Sequence, residues 1–220
     1  MDIQAQLELH KQWLETDGKD GKRFDEPHLS RAILNGANLS GAYLVKANLN
    51  ETKLIGANLS KAHLSGAYFK EANLSDARLM GVNLVGANLS GTKLVRAILA
   101  ESNLEGADLF EANLEGANLS EANLVGTNLG GANLCSANLI DTNFLGAKLN
   151  NANLTGADLT GAYLTKANLT GADLTGANLN DTNLVEANLR GAKLVNTSLK
   201  GAILCNTTMP DGSIDNSGCR

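Results

Sequence analysis

The large apolar residues of this chain recur with a period of five. From Leu29 to Met209, thirty-four of the thirty-seven residues at that spacing are Leu, and the others are Phe69, Phe144 and Met209. Two residues before each centre, the thirty-six positions from Ala32 to Thr207 hold twenty-seven Ala, seven Thr, Val82 and Ser102. Asn fills nineteen of the thirty-six slots just before the centre, and Gly fills eighteen of the thirty-six slots two residues after it. The consensus is Ala-Asn-Leu-x-Gly, without insertion over about 180 residues.

Neither regular element accommodates that period. Five residues advance an α-helix by about 500°, so successive leucines drift by about 140° and form no stripe. On a flat strand, residues five apart face opposite sides. Burying every centre therefore demands a bend in each pentapeptide. Gly two residues after the centre supplies it, because the second central residue of a type II turn has a positive φ. Slots holding Lys, Glu, Asp or Asn instead are expected to use a different turn type. With bends of about 90°, four pentapeptides close a square coil, its centres and small residues inside and the other three positions outside. Parallel strands stack about 4.8 Å apart, so the chain makes about nine coils in a rod roughly 45 Å long. Right-handed winding is the default for parallel crossovers. The inner corner is crowded, which accounts for Ala and Thr there.

Ala37-Asn38-Leu39-Ser40-Gly41 and its many companions match the motif A-[DN]-L-x-x, and on these residues the chain resembles the pentapeptide-repeat family over about 24–209. The resemblance implies an all-β fold, a right-handed quadrilateral parallel β-helix (β-solenoid). It carries no catalytic residues to transfer. The expected organisation is an N-terminal helical cap and loop over 1–23, the β-helix over 24–209, and a C-terminal turn and tail over 210–220. Caps are needed because a parallel solenoid leaves its end coils unpaired. Residues 3–15 read as an amphipathic capping α-helix, with Asp2 as N-cap and Ile3, Leu7 and Leu14 near one face beside Trp13. The run from Thr16 to Arg23 reads as a loop, and Phe24 already keeps the register. At the other end Pro210-Asp211-Gly212 reads as a turn, Ile214 keeps the register and closes the last coil, and 215–220 are expected to fray. This ending resembles that of cyanobacterial members of the family.

Composition narrows the function classes. The 220 residues are 43% apolar, too many for a disordered chain, yet only 4% aromatic, so the core rests on aliphatic residues. A net charge of −5 argues against direct nucleic-acid binding, which needs a concentrated basic face. No apolar run reaches the ~18 residues of a membrane-spanning helix, and the N-terminus lacks the pattern of a secretory signal. Cys135, Cys205 and Cys219 are too few and too scattered for a disulfide framework, so a reducing cytoplasm is the expected location.

The sequence points to no catalytic set, no cofactor and no metal site. A tube filled with Leu and Ala leaves no ligand cavity. His10, His28 and His63 lack metal-ligand spacing to one another or to a Cys. Asp17-Gly18-Lys19-Asp20-Gly21 lacks the acidic register of a calcium loop, and Gly18 to Lys22 lacks the spacing of a phosphate loop. Abundant Ser, Thr, Asp and Asn read as surface rungs, with the Asn before each centre expected to form amide ladders between coils. The threonines at 155, 160, 165, 170 and 175 step around the coil, so they do not make the flat Thr face of an ice binder.

Function is therefore expected on the outer surface. By position within a 20-residue coil, Val45, Val85, Val125, Leu145 and Val185 fall on one face, joined by Tyr43, Tyr163 and Ile203. Ile55, Val95 and Val195 fall on the opposite face and Ile140 on a third. Such residues also simply suit strands, so the face reads either as strand chemistry or as a partly apolar docking surface. Charge is segregated along the axis. Residues 31–96 carry net +5, while 97–147 carry seven acids (Glu101, Glu105, Asp108, Glu111, Glu115, Glu121 and Asp141) and no base. The acids read as a solvated belt or a recognition surface.

The leading expectation is a non-enzymatic scaffold that presents a flat face to an as yet unidentified protein partner, with no membrane role. The apolar face and the C-terminal coil both suit a homodimer. The alternative is a DNA-mimicking inhibitor or protector of a DNA-handling enzyme such as gyrase, as the quinolone-resistance members of the resembled family imply. That mimicry requires acids running along a face, whereas these circle all four sides between bases. The chain also lacks the interrupting loops and the C-terminal dimerisation helix of gyrase-binding members.

Overall fold

A computed structural model describes residues 29–219. The expected capping helix over 3–15, the loop after it, the start of the repeat at Phe24, and His10 and His28 lie outside the described residues.

The coil has twenty residues. Parallel pairings run from Ile33↔Lys53 through Asn118↔Asn138 to Asn188↔Thr208, every one between residues twenty apart. Each coil has four sides, each contributing one paired residue just before a centre, and about nine coils stack into a parallel β-helix. The interior is as the repeat predicts. From Leu44 to Leu189 every centre is buried to 1% exposure or less, including Phe69 and Phe144, and the small residues between them are equally sealed. Where Thr or Ser replaces Ala at the inner corner, its hydroxyl donates to a leucine or phenylalanine carbonyl. Examples are Thr142 to Leu119 O (2.8 Å), Thr92 to Phe69 O (2.8 Å) and Ser102 to Leu99 O (2.6 Å). A buried hydroxyl thus pairs internally instead of losing its partner to desolvation.

One pentapeptide shows why Asn precedes the centre. In Ala117-Asn118-Leu119-Ser120-Glu121 all five amides have acceptors. Ala117 closes the turn onto Leu114 O (3.0 Å), Asn118 reaches back to Ala97 O (2.9 Å), and Leu119 and Glu121 reach forward to Asn138 O (2.8 Å) and Ile140 O (2.9 Å). The remaining amide, Ser120, donates to the side-chain Oδ1 of Asn118 (3.0 Å). Asn therefore satisfies the one amide the coil geometry orphans, by the local turn that Asn favours. At three slots where the residue before the centre is not Asn or Asp, an Asn one coil earlier substitutes: Ile55 donates to Asn35 Oδ1 (3.0 Å), Lys70 to Asn50 Oδ1 (2.8 Å) and Lys200 to Asn180 Oδ1 (3.1 Å). The expected amide ladder exists at some rungs, such as Asn113–Asn133–Asn153 (3.2 and 3.0 Å), but the local turn is the commoner use.

The corners correct a sequence expectation. All thirty-six corner slots from Arg31 to Asn206 have a positive φ, near 62–73° at Gly and 50–62° at the others. Lys46, Glu51 and Glu121 use the same turn as Gly, not a different one. The coil closes only with a left-handed residue there, so tertiary stacking overrides the preference of an L-residue at a strain of about 1–2 kcal/mol each.

The C-terminal end also departs from expectation. Residues 215–219 are held, not frayed. Strand β1 (Thr207–Thr208) pairs antiparallel with β2 (Ile214–Asp215), the Gly218 amide donates to Leu204 O (2.7 Å), and Cys205 is bonded to Cys219. The three cysteines were expected to make no disulfide framework; they make one link, Cys205–Cys219, and Cys135 stays free. Ile214 does not close the last coil. It is 56% exposed, because β2 folds back beside β1 and does not continue the square path. Leu194, Leu199 and Leu204 in this coil are only partly buried.

Candidate interaction face

The 20-residue register turns sequence spacing into surface columns. One side carries Tyr43, His63, Asn83, Asn103, Asn123, Asn143, Tyr163, Asn183 and Ile203 as successive paired residues. Beside them runs a column that includes Val45, Val85, Val125, Leu145 and Val185. The structure thus brings all seven residues of the expected face, Tyr43 and Tyr163 included, onto one side. Leu145 is 41% and Tyr163 53% exposed, and the four valines and Tyr43 are half-buried. Tyr43 stacks on His63, with ring centroids 4.2 Å apart.

Counting only Val, Ile and Leu after each centre missed other outward apolar residues. Tyr68 and Phe110 stand on a neighbouring side, and Met80 and Ile98 on another, all between 39% and 49% exposed. They come singly or in pairs, whereas the column at Val85, Val125 and Leu145 persists through the middle of the rod. The missed residues were legible had the same arithmetic been applied to aromatic residues and Met and to both outer slots.

The seven acids do not converge on one surface. Glu105 sits in the apolar column between Val85 and Val125. Asp108 lies on the next side, paired with Asn88 and Asn128, and accepts from Asn128 Nδ2 (2.8 Å). Glu111 holds the corner after it and Glu115 the side beyond. The other three do converge. Glu101, Glu121 and Asp141 occupy one corner in three successive coils, with φ of 57°, 57° and 54°, along one edge of the tyrosine side. The sequence reading treated these acids as a ring; the corner slot, read at intervals of twenty, shows the column. The opposite edge of the same side is a column of glycines, Gly66, Gly86, Gly106, Gly126 and Gly146. A Cβ built on any of the last four would meet nothing within 4 Å, so this edge is bare of obstruction.

Charges elsewhere pair between coils. Arg31 meets Glu51 (3.0 Å), Arg96 meets Asp76 (2.8 Å) and Lys166 meets Glu186 (3.6 Å) at corners, and Lys193 meets Asp173 (2.9 Å) on a side. Hydrogen bonds from Thr175, then from Lys193, hold the Asp173 carboxyl down at about 2.

Among the described residues, no group of three or more His, Cys, Asp or Glu is arranged to hold a metal. Every buried side-chain nitrogen or oxygen among them has a hydrogen-bond partner. No helix among them is long and apolar enough to cross a membrane. A notch of about 450 Å³ opens between Lys70, Glu71, Phe110 and Glu111, and another of about 540 Å³ lies between Ile203 and Cys219. Both are open to solvent and neither brings a nucleophile to a base.

Comparison with known proteins agrees with this geometry. No curated protein matched the chain. Among solved structures it is similar to HetL, a pentapeptide repeat protein involved in heterocyst differentiation regulation from the cyanobacterium Nostoc sp. strain PCC 7120. Identity is 37%, coverage 88% of this chain and 89% of HetL, and the TM-score 0.53. A pentapeptide repeat protein of the Arabidopsis thaliana thylakoid lumen is 39% identical over 46% of this chain and 71% of that one, with a TM-score of 0.44. QnrB1, a plasmid-mediated fluoroquinolone resistance protein, is 20% identical over 80% of this chain and 86% of that one, with a TM-score of 0.45. Eight copies of the pentapeptide-repeat model match between residues 28 and 216. With that match running through the whole four-sided coil, the chain belongs to the pentapeptide-repeat family.

Proposed function

We propose that this protein is a non-enzymatic scaffold that binds a protein partner through the tyrosine side of its β-helix. The observation that carries this reading is the alignment of Val85, Val125 and Leu145 in one outward column beside a bare glycine edge. A sealed aliphatic interior leaves the outside as the working surface, and a flat side with an apolar centre and polar margins has the make-up of a protein interface. HetL, similar over most of the chain, is described as involved in regulation, which accords with a binding role.

An affinity capture from a lysate of the native organism tests it. The wild-type bait is expected to retain a specific partner that a bait carrying Val85→Lys, Val125→Lys and Leu145→Lys loses. Substrate turnover in a broad activity screen would sink the proposal.

The runner-up is a DNA-mimicking inhibitor or protector of gyrase. The stacked acids at Glu101, Glu121 and Asp141 favour it, but their column spans only ~10 Å, about three base-pair steps of duplex. A supercoiling assay at micromolar protein decides: no effect on gyrase removes this reading.

A further inference from the structure

The tyrosine side between Asn83 and Gly146 carries three parallel columns. Val85, Val125 and Leu145 form the apolar one, with Glu105 set among them. Glu101, Glu121 and Asp141 stack along one edge, and Gly86, Gly106, Gly126 and Gly146 leave the other edge open. Resting on the scaffold reading above, we propose that this surface docks a basic amphipathic α-helix of the partner, lying along the solenoid axis. Its apolar stripe sits on Val85, Val125 and Leu145, and its basic stripe on the three stacked acids and Glu105.

The charge pattern argues for a cationic occupant. At other corners, stacked charges mostly compensate one another, as Arg31 with Glu51, Asp76 with Arg96, and Lys166 with Glu186, and the one like-charge step there, Glu51 to Glu71, is offset on one side by Arg31. Glu101, Glu121 and Asp141 repeat one sign in adjacent coils, and none of them forms an ion pair among the described residues. Gly would fit their left-handed backbone without strain and without repulsion. A surface that breaks a local rule without internal compensation is where a binding function is expected. Its sign repels nucleic acid and attracts Lys and Arg.

The backbone argues for a helix and not a strand. The amides along this side are already taken, by neighbouring coils or by the Asn turn, so an added strand would find no ladder to join. A helix satisfies its own backbone and offers only side chains. The dimensions agree. Three coil steps from Val85 to Leu145 span ~14 Å, which a helix of about ten residues covers. One helical turn rises ~5.4 Å against ~4.8 Å per coil, so about three turns stay in step with the columns before the mismatch reaches ~2 Å.

The test selects fifteen-residue helix-forming peptides from a display library on the wild-type protein, then measures the winners by fluorescence anisotropy. Winners are expected to place Lys or Arg beside apolar residues at i, i+3 and i+4. Their affinity should fall ~10-fold or more on Glu101→Lys/Glu121→Lys/Asp141→Lys and likewise on Val85→Lys/Val125→Lys/Leu145→Lys. It should fall with added salt and stay unchanged on Glu71→Lys/Glu111→Lys, which lie on another corner. The variants keep the backbone: Lys46, Lys61 and Lys166 already occupy corners at φ of 55°, 57° and 59°, and Glu105 already places a charge in the apolar column. Their melting curves check this. Winners that are acidic, or that bind all variants equally, overturn the helix proposal and leave the scaffold reading standing. Self-association of the wild type that the same variants abolish overturns it in favour of a second copy. A selection with no winner and no self-association overturns the helix proposal, while the lysate capture decides the scaffold reading separately.

Discussion

Leu119 and Leu199 occupy the same slot on the same side of the coil, four coils apart, and have different fates. Leu119 is fully buried and its amide is held by Asn138 of the next coil. Leu199 is partly exposed, with no coil following it among the described residues. The pentapeptide does not bury its own leucine; the neighbouring coil does, as in other solenoids where each repeat is stable only through its neighbours. At the last coil a different device substitutes for a neighbour: the β1–β2 hairpin, the Gly218 to Leu204 hydrogen bond and the Cys205–Cys219 link.

Core truncation separates the two regions most strongly. Leu119→Ala is expected to lower stability by about 2–5 kcal/mol in urea unfolding, and Leu199→Ala by less than half as much, because its site is already partly wet. Ala117→Leu should be at least as damaging as Leu119→Ala, since the inner corner has no room to expand. Equal losses at Leu119 and Leu199 would break the contrast.

Opening the disulfide comes next. A bond closing a loop of fourteen residues restrains the tail by about 3 kcal/mol. Cys205→Ser should therefore speed hydrogen exchange at the Gly218 amide and leave the Leu119 amide unchanged. Equal acceleration at both would mean that the end and the middle unfold as one.

Corner substitutions are smaller. Glu121→Gly should raise stability by up to about 1 kcal/mol by relieving a left-handed L-residue and a like-charge stack, while Gly126→Glu should lower it by a similar amount. Thermal melts of both variants check the pair. A stability gain that accompanies lost binding would mark Glu121 as kept for function.

The smallest effect is electrostatic, at the junction between the last coil and the one before it. Thr175 and Lys193 hold the folded-state Asp173 carboxyl at about 2, against an ordinary 3.8. Its folded pKa lies below the unfolded one, so its contribution is full above about pH 4 and fades as pH falls toward 2. Asp173→Asn should melt slightly below wild type at neutral pH, with the gap closing in acid.

The interior was legible in the sequence because its rule is strict: a large apolar residue every five positions can be buried only by a coil that turns at each pentapeptide. The sides of the coil followed once twenty residues were taken as one circuit, which placed Tyr43, Val85, Val125 and Tyr163 together. The uniform corner was not legible, because Glu and Lys disfavour a positive φ in isolation and only the stacked coils impose it. Nor was the end. Cys205 and Cys219 are fourteen residues apart with nothing in their spacing to announce a pair, and it is the hairpin between them that brings them to a Cα–Cα distance of 4.8 Å. The acidic column at Glu101, Glu121 and Asp141 was present in the numbering but hidden among Glu105 in the apolar column and three acids that face elsewhere, Asp108, Glu111 and Glu115.

Two five-residue deletions test most directly whether function lies in the alignment of the columns. Either one keeps the interior rule, since the pentapeptide phase is unchanged, and turns all later coils by one side. Deleting 52–56 turns the residues from 57 onward as one body and leaves the columns between Val85 and Gly146 intact. Deleting 112–116 splits them, moving Glu121, Val125, Asp141 and Leu145 one side away from Val85, Glu101 and Glu105. The affinity of each for a partner that needs Val85, Val125 and Leu145 is the quantity to measure, with melting curves confirming that both fold. Wild-type affinity for the first deletion and loss of binding for the second are predicted. Undiminished binding by the second would contradict the assignment of function to this face.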